Sequence, residues 1–191
     1  MSFSFIELEN MAQDARKQMG AKKTSDSVDP LKIQIEGVQV ITIEDLKDVS
    51  QKVLNYLLED ANSEWSAMSV PLDPNFEKWV IVRNHKHDIE RQRVSLLEEF
   101  WHIMLGHSLV RIVKVGNHHG RTYHPEEEDE AYYLASATLL PRDAVEKFVD
   151  NTKRDLEDFA KSYGVSTQLV EFRIKRLGLW YRYKPKKITV L

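Results

Sequence analysis

Residues 94–105 read Val94-Ser95-Leu96-Leu97-Glu98-Glu99-Phe100-Trp101-His102-Ile103-Met104-Leu105. Eight of these twelve residues are apolar and cover most of a helix circumference, the pattern of a buried helix. Yet the same stretch carries Glu98, Glu99 and His102. At ~100° per residue, Glu98 and His102 fall one turn apart on one face, with Glu99 beside them. Burying an unpaired carboxylate costs several kcal/mol or displaces its pKa, and a cation among the three groups removes that cost. The i, i+4 spacing lets two side chains from one helix hold one metal ion. In HExxH zinc sites two His do this and the intervening Glu is the general base. Here the string is EExxH, with Glu98 in the first His position. The plainer alternative is a solvated Glu–His ion pair.

Outward from this helix, Gly106 is a stop signal that redirects His107. If the helix continued, His107 would sit ~140° from His102 and off its face. The run Glu126-Glu127-Glu128-Asp129-Glu130 precedes a second helical pattern over 126–140, stopped by Pro141. Acids there suit the helix dipole by themselves. Ala131, Ala135 and Thr138 form a small-residue stripe for close packing. Glu130 borders that stripe and is the acid expected to point inward.

The remaining pattern predicts helices over 6–19 and 42–61, the latter with a Thr42–Asp45 capping pair. A hairpin is expected over 31–40, with a short helix followed by one strand as the competing reading. Strands are expected over 65–70, 78–82 and 110–115, a His-containing loop over 116–125, three short helices up to Gly178 and a basic tail over 180–191. The order is α+β.

Composition bounds the chemistry. The chain has 191 residues, 42% apolar and 30% charged, enough for one domain with a core. A net charge of −3 gives no global basic field for nucleic acid, and the absence of Cys excludes disulfides and thiolate chemistry, so a metal must be held by His and carboxylates. The first nine residues are mixed polar, and no apolar run reaches ~20 residues, so a cytoplasmic protein is expected.

Residues 91–107 (RQRVSLLEEFWHIMLGH) and 130–141 (EAYYLASATLLP) together resemble the ImmA/IrrE family of metallo-endopeptidases, whose patterns run like RxRFTLAHELGHxLLGH and EAxxFAxxLLMP. Residues 159–179 are also similar to the family's C-terminal helices. The resemblance implies a small zincin-like domain over 1–145, with a small β-sheet and an N-terminal helix. It implies a C-terminal, helix-turn-helix-like extension over 146–191 packed on that domain. It implies Glu98, His102 and Glu130 as metal ligands for zinc, or another divalent ion such as manganese, with Glu99 as general base. It also implies that Leu31 to Ile35 belong to a helix.

His107, His124 and Arg93 are candidate cleft residues, and the His85/His87 pair and His118 and His119 are ordinary loop histidines. Three functions are carried forward. One is an endopeptidase acting on a regulatory protein such as a helix-turn-helix repressor, in a stress or mobile-element switch. The second is a catalytically impaired regulator of the same fold. The third is a DNA-binding module through residues 159–179, where Arg173, Lys175 and Arg176 fall on or near the second helix.

Overall fold

Ser4 starts the first helix. Its side chain accepts from Glu7 N while Glu7 reaches back to Ser4 N at 2.7 Å, a reciprocal cap. The helix α1 (Phe5–Gln18) buries Leu8 and Ala12 together with two charged residues, Glu9 and Arg16. Arg16 donates to Thr138 O at 2.6 Å and to Asp26 O at 2.5 Å, tying α1 to the later helices. The computed structural model describes residues 3–46, 50–60, 62–73, 75–107, 112–115, 118–121 and 124–184.

The stretch expected as a hairpin is instead a turn followed by one strand. Asp29 caps a single 3-10 turn, Pro30–Lys32, and only an Ile35–Val38 bridge links the two halves. The strand β1 (Val38–Thr42) turns away because its edge is better satisfied elsewhere: it pairs in parallel with a later strand, and Trp79 N donates to Gly37 O at 2.7 Å. Gly37 has φ 76°, and a Cβ there would collide with Glu77 O. This agrees with the competing reading more than with the hairpin, and the helix implied over Leu31 to Ile35 shrinks to that one turn.

The single helix expected over 42–61 is also broken. Thr42 and Asp45 form the expected capping pair, with 2.8 and 2.7 Å bonds to Asp45 Oδ2, but they start one turn only, because Leu46 is extended. Ser50 is a second N-cap and opens α2 (Gln51–Asn55), which widens into a π-type turn at Tyr56–Asp60. Leu46, Leu54 and Leu57 still face inward, around a small separate cluster of Ile43, Trp65 and Val82.

The strands expected over 65–70 and 78–82 form as β2 (Ala67–Pro71) and β3 (Trp79–Arg83), which pair antiparallel in a three-stranded sheet of order β1-β3-β2. Next comes α3 (Ile89–Leu105), ended by Gly106 at φ 63°. Residues 116–125 are not wholly loop: β4 (Ile112–Val115) and β5 (His118–Arg121) make an antiparallel ladder. Then follow α4 (Pro125–Leu139), α5 (Arg142–Asp150), α6 (Leu156–Tyr163) and α7 (Thr167–Arg176). A short α8 (Trp180–Tyr183) stands at the start of the expected basic tail, of which residues 185–191 lie outside the described residues.

One apolar cluster joins these elements, from Leu8 of α1 and Ile81 of β3 through Leu96 and Phe100 of α3 and Leu134 of α4 to Val145, Val170 and Ile174. The architecture is α+β, with the α3–α4 pair at its centre. Thr138 and Trp101 mark the close approach of that pair, with the indole donating to Thr138 Oγ1 at 3.2 Å. Among the described residues no helix is long and apolar enough to cross a membrane.

Arg93 staples the turn between α6 and α7 to α3. It donates to Tyr163 O at 3.1 Å, to Gly164 O at 2.5 Å and to Val28 O. Gly164 has φ 61°, and a Cβ there would run into the Arg93 guanidinium. Gly164→Ala is therefore expected to destabilise the protein by about 2 kcal/mol, combining left-handed strain with displacement of that clamp. A urea midpoint equal to that of the parent would refute the clamp.

Candidate metal centre

The site begins with the face of α3 that carries Glu98 and His102. The small stripe of α4, fully buried at Ala131, Ala135 and Thr138, lets the N-terminal turn of α4 come over that face. Ligand atoms of Glu98, His102 and Glu128 all lie within 4.8 Å of one another. His102 Nε2 stands 3.7 Å from Glu128 Oε2.

Charge is crowded there. Burial, then the charges of Glu128 and Glu99, push the Glu98 carboxyl up to about 8. Burial pulls the His102 imidazole down, but the nearby carboxylate of Glu128 and the charges of Glu99 and Glu98 outweigh it and leave its pKa raised. Tyr132, one turn beyond Glu128, is raised by burial and by the charge of Glu98. The sequence reading did not single it out.

The acid that joins Glu98 and His102 is Glu128, whereas Glu130 was expected. Glu130 is inward, at 2% exposure, but it faces His107 Nε2 at 3.4 Å and accepts from Phe3 N at 3.3 Å. Helix geometry separates the acids of the run. Asp129 pairs with Arg176 through two bonds of 3.0 and 2.8 Å, so Glu128, Asp129 and Glu130 serve α3, α7 and the His107 turn in succession. A signal for Glu128 was present. It precedes Ala131 by three positions and Ala135 by seven, which puts it on the face of the packing stripe.

More than half of the chain, residues 57–175, matches the sequence model of a peptidase family described as the IrrE N-terminal-like domain. The chain belongs to this family. The IrrE N-terminal-like match takes in β2, β3, α3, α4 and nearly all of α7. The family is of the metallopeptidase type, and among the described residues Glu98, His102 and Glu128 are a group of three close enough together that they could hold a metal ion. No curated protein and no solved structure gives a match.

Other residues singled out by sequence lie elsewhere. Arg93 is committed to three backbone carbonyls at the α6–α7 turn and does not reach a cleft. His124 is exposed at the N-cap of α4, while His107 lies against His102 with its Nδ1 3.0 Å from His102 Nδ1. His85 faces Glu44 at 3.4 Å and His87 faces Asn62 O at 2.7 Å, so neither joins the metal group. His118 and His119 fall in β5, and their side chains lie outside the described residues.

The helix-turn-helix-like pair is α6 and α7, but its basic residues are engaged. Arg173 is fully buried, bonded to Glu9 at 2.8 and 3.1 Å and to Leu140 O at 3.1 Å. Arg176 holds Asp129, and Lys175 lies over Trp180 at 4.7 Å.

Proposed function

We propose that this chain is a metal-dependent endopeptidase that cuts a regulatory protein, such as a helix-turn-helix repressor, in a cytoplasmic stress or mobile-element switch. The observation that carries this reading is the convergence of Glu98, His102 and Glu128, with Glu99 alongside, in a family of metallopeptidase type. The donor set fits a divalent cation. Two carboxylates and an imidazole are ligands for zinc or manganese, and the raised Glu98 carboxyl marks acids buried and crowded beyond what His102 offsets.

Glu98, His102 and Glu128 would hold the ion, Glu128 taking the place the resemblance implied for Glu130. A cation bound there supplies Lewis acidity toward a peptide carbonyl and toward water. The Glu99 carboxylate takes a proton from the attacking water and delivers it to the nitrogen of the leaving amine as the C–N bond breaks. The guanidiniums of Arg173 and Arg176 are held by acids, which favours a protein partner over DNA.

One observation favours a second reading. A Glu98 carboxyl near 8 binds a proton in competition with a metal at neutral pH, which suits a weakly metallated regulator that binds its partner without cutting it. The two separate on metal content and turnover. Full-length protein purified without added metal is assayed by mass spectrometry for bound metal. It is then incubated with zinc or manganese and a helix-turn-helix repressor or denatured casein. Cleavage that appears with added metal and vanishes with EDTA is the expected result. Repressor binding with no cleavage under either metal would hand the function to the regulator reading.

A further inference from the structure

Gly106 ends α3 in the left-handed region, and His107 N then bonds back to His102 O at 3.0 Å. This turn folds the His107 ring against that of His102, edge to face, with centroids 5.0 Å apart. The two Nδ1 atoms are 3.0 Å apart. On its other side His107 Nε2 meets Glu130 Oε2 at 3.4 Å, both side chains being less than a tenth exposed. Glu130 Oε1 is in turn fixed by the Phe3 amide at 3.3 Å. The remaining ring nitrogen, His102 Nε2, faces Glu128.

Two ring nitrogens at this distance share one proton, so one ring donates and the other accepts. Of the two carboxylates that flank the pair, Glu130 is nearer (3.4 Å from His107 Nε2, against 3.7 Å from Glu128 to His102 Nε2) and far more buried, so it takes the N–H at His107 Nε2 and leaves His107 Nδ1 as the acceptor. His102 must then carry its proton on Nδ1. We propose that His107 and Glu130 are positioning residues that lock the His102 ring in the Nδ1–H form and present its Nε2 toward Glu98 and Glu128. Metal-binding imidazoles commonly donate their second N–H to a carboxylate or carbonyl, and here a second imidazole stands between the ligand and its carboxylate. The role rests on the metal reading above. It gives Glu130 a function through His107 rather than at the cation.

The test uses the full chain labelled with 15N-histidine, with long-range 1H–15N correlation spectra, and zinc affinity from competition with a chromophoric chelator. In the parent, His107 is expected to be protonated at Nε2 and bare at Nδ1. His107→Leu should lower zinc affinity by about 10–100-fold, and Glu130→Gln should fall in the same range. His107→Gln should recover part of the loss, because its side-chain oxygen accepts the Nδ1–H. That variant and the parent spectrum carry the test if His107→Leu does not fold. A proton on His107 Nδ1, or parent zinc affinity in His107→Leu, overturns the proposal. So does a Glu130→Gln protein that binds no zinc while Glu128→Gln binds like the parent, since Glu130 is then itself a ligand. A parent that takes up no zinc but shows the expected spectrum sinks the metal reading and leaves the proton lock standing.

Discussion

Glu99→Gln is expected to lower peptide cleavage by about 10²–10⁴-fold while the protein folds and binds metal as before. Glu99 is partly buried on α3, and its charge reaches both Glu98 and His102. It lies outside the group whose ligand atoms converge. The amide keeps the size and hydrogen-bonding reach of the carboxylate but cannot take a proton from water. The loss should therefore appear in kcat, with little change in KM or in metal content. Cleavage at the parent rate by a metal-loaded, folded Glu99→Gln protein would show that another group is the base.

The second large effect belongs to Glu98 in the metal-free protein. Its carboxyl lies at about 8 in the fold, well above an ordinary carboxylate, because burial and the charges of Glu128 and Glu99 oppose its ionisation. A folded-state pKa raised in this way gives stability that is complete below about pH 4.5 and is lost as pH rises toward 8. The raised His102 imidazole acts in the same direction. At ~1.4 kcal/mol per pH unit, discounted for remaining solvent contact, the loss is on the order of 3 kcal/mol. Denaturant midpoints should fall from pH 5 to pH 8 in the metal-free parent, and the fall should be shallower in Glu98→Gln. Equal pH dependence in the two proteins would remove Glu98 as the source. The same proton competes with zinc, so Glu98→His, which replaces a mostly protonated acid by a neutral imidazole, should tighten zinc binding about tenfold or more at pH 7. A Glu98→His protein that folds and binds zinc no better would mean that the carboxylate has a structural task of its own.

Strong local signals carried well from sequence to structure. The apolar run with Glu98 and His102 one turn apart is α3, and Gly106 ends it as a stop residue should. Pro141 closes the helix behind the acidic run, and strands form where they are expected over 65–70 and 78–82. Where two local signals compete, the pattern misled. Thr42 and Ser50 are both N-cap residues, and the periodicity of Leu46 and Leu57 spans them, yet the turn that Thr42 opens ends at an extended Leu46 and Ser50 opens a helix of its own. Alternation over 31–40 cannot say whether a strand pairs with its neighbour or with β3, about forty residues along the chain.

The sequence by itself determined the chemistry available and the helix that bears it: a buried apolar helix with a Glu, a Glu and a His, and a second helix opening on five acids. These follow from periodicity and from residue type, both local properties. Tertiary structure decided which acid meets His102, although the small-residue stripe already marks the face of Glu128. Successive acids on α4 are turned by ~100° each, and only the docking of α4 on α3, α7 and the His107 turn assigns Glu128, Asp129 and Glu130 to three different neighbours. The fate of Arg93 and Arg173 was settled in the same way. Each is a surface-type residue in sequence, and each is buried because the fold brings carbonyls or a carboxylate to it from 65 or more positions away. Long-range packing, not local propensity, turns those charges inward.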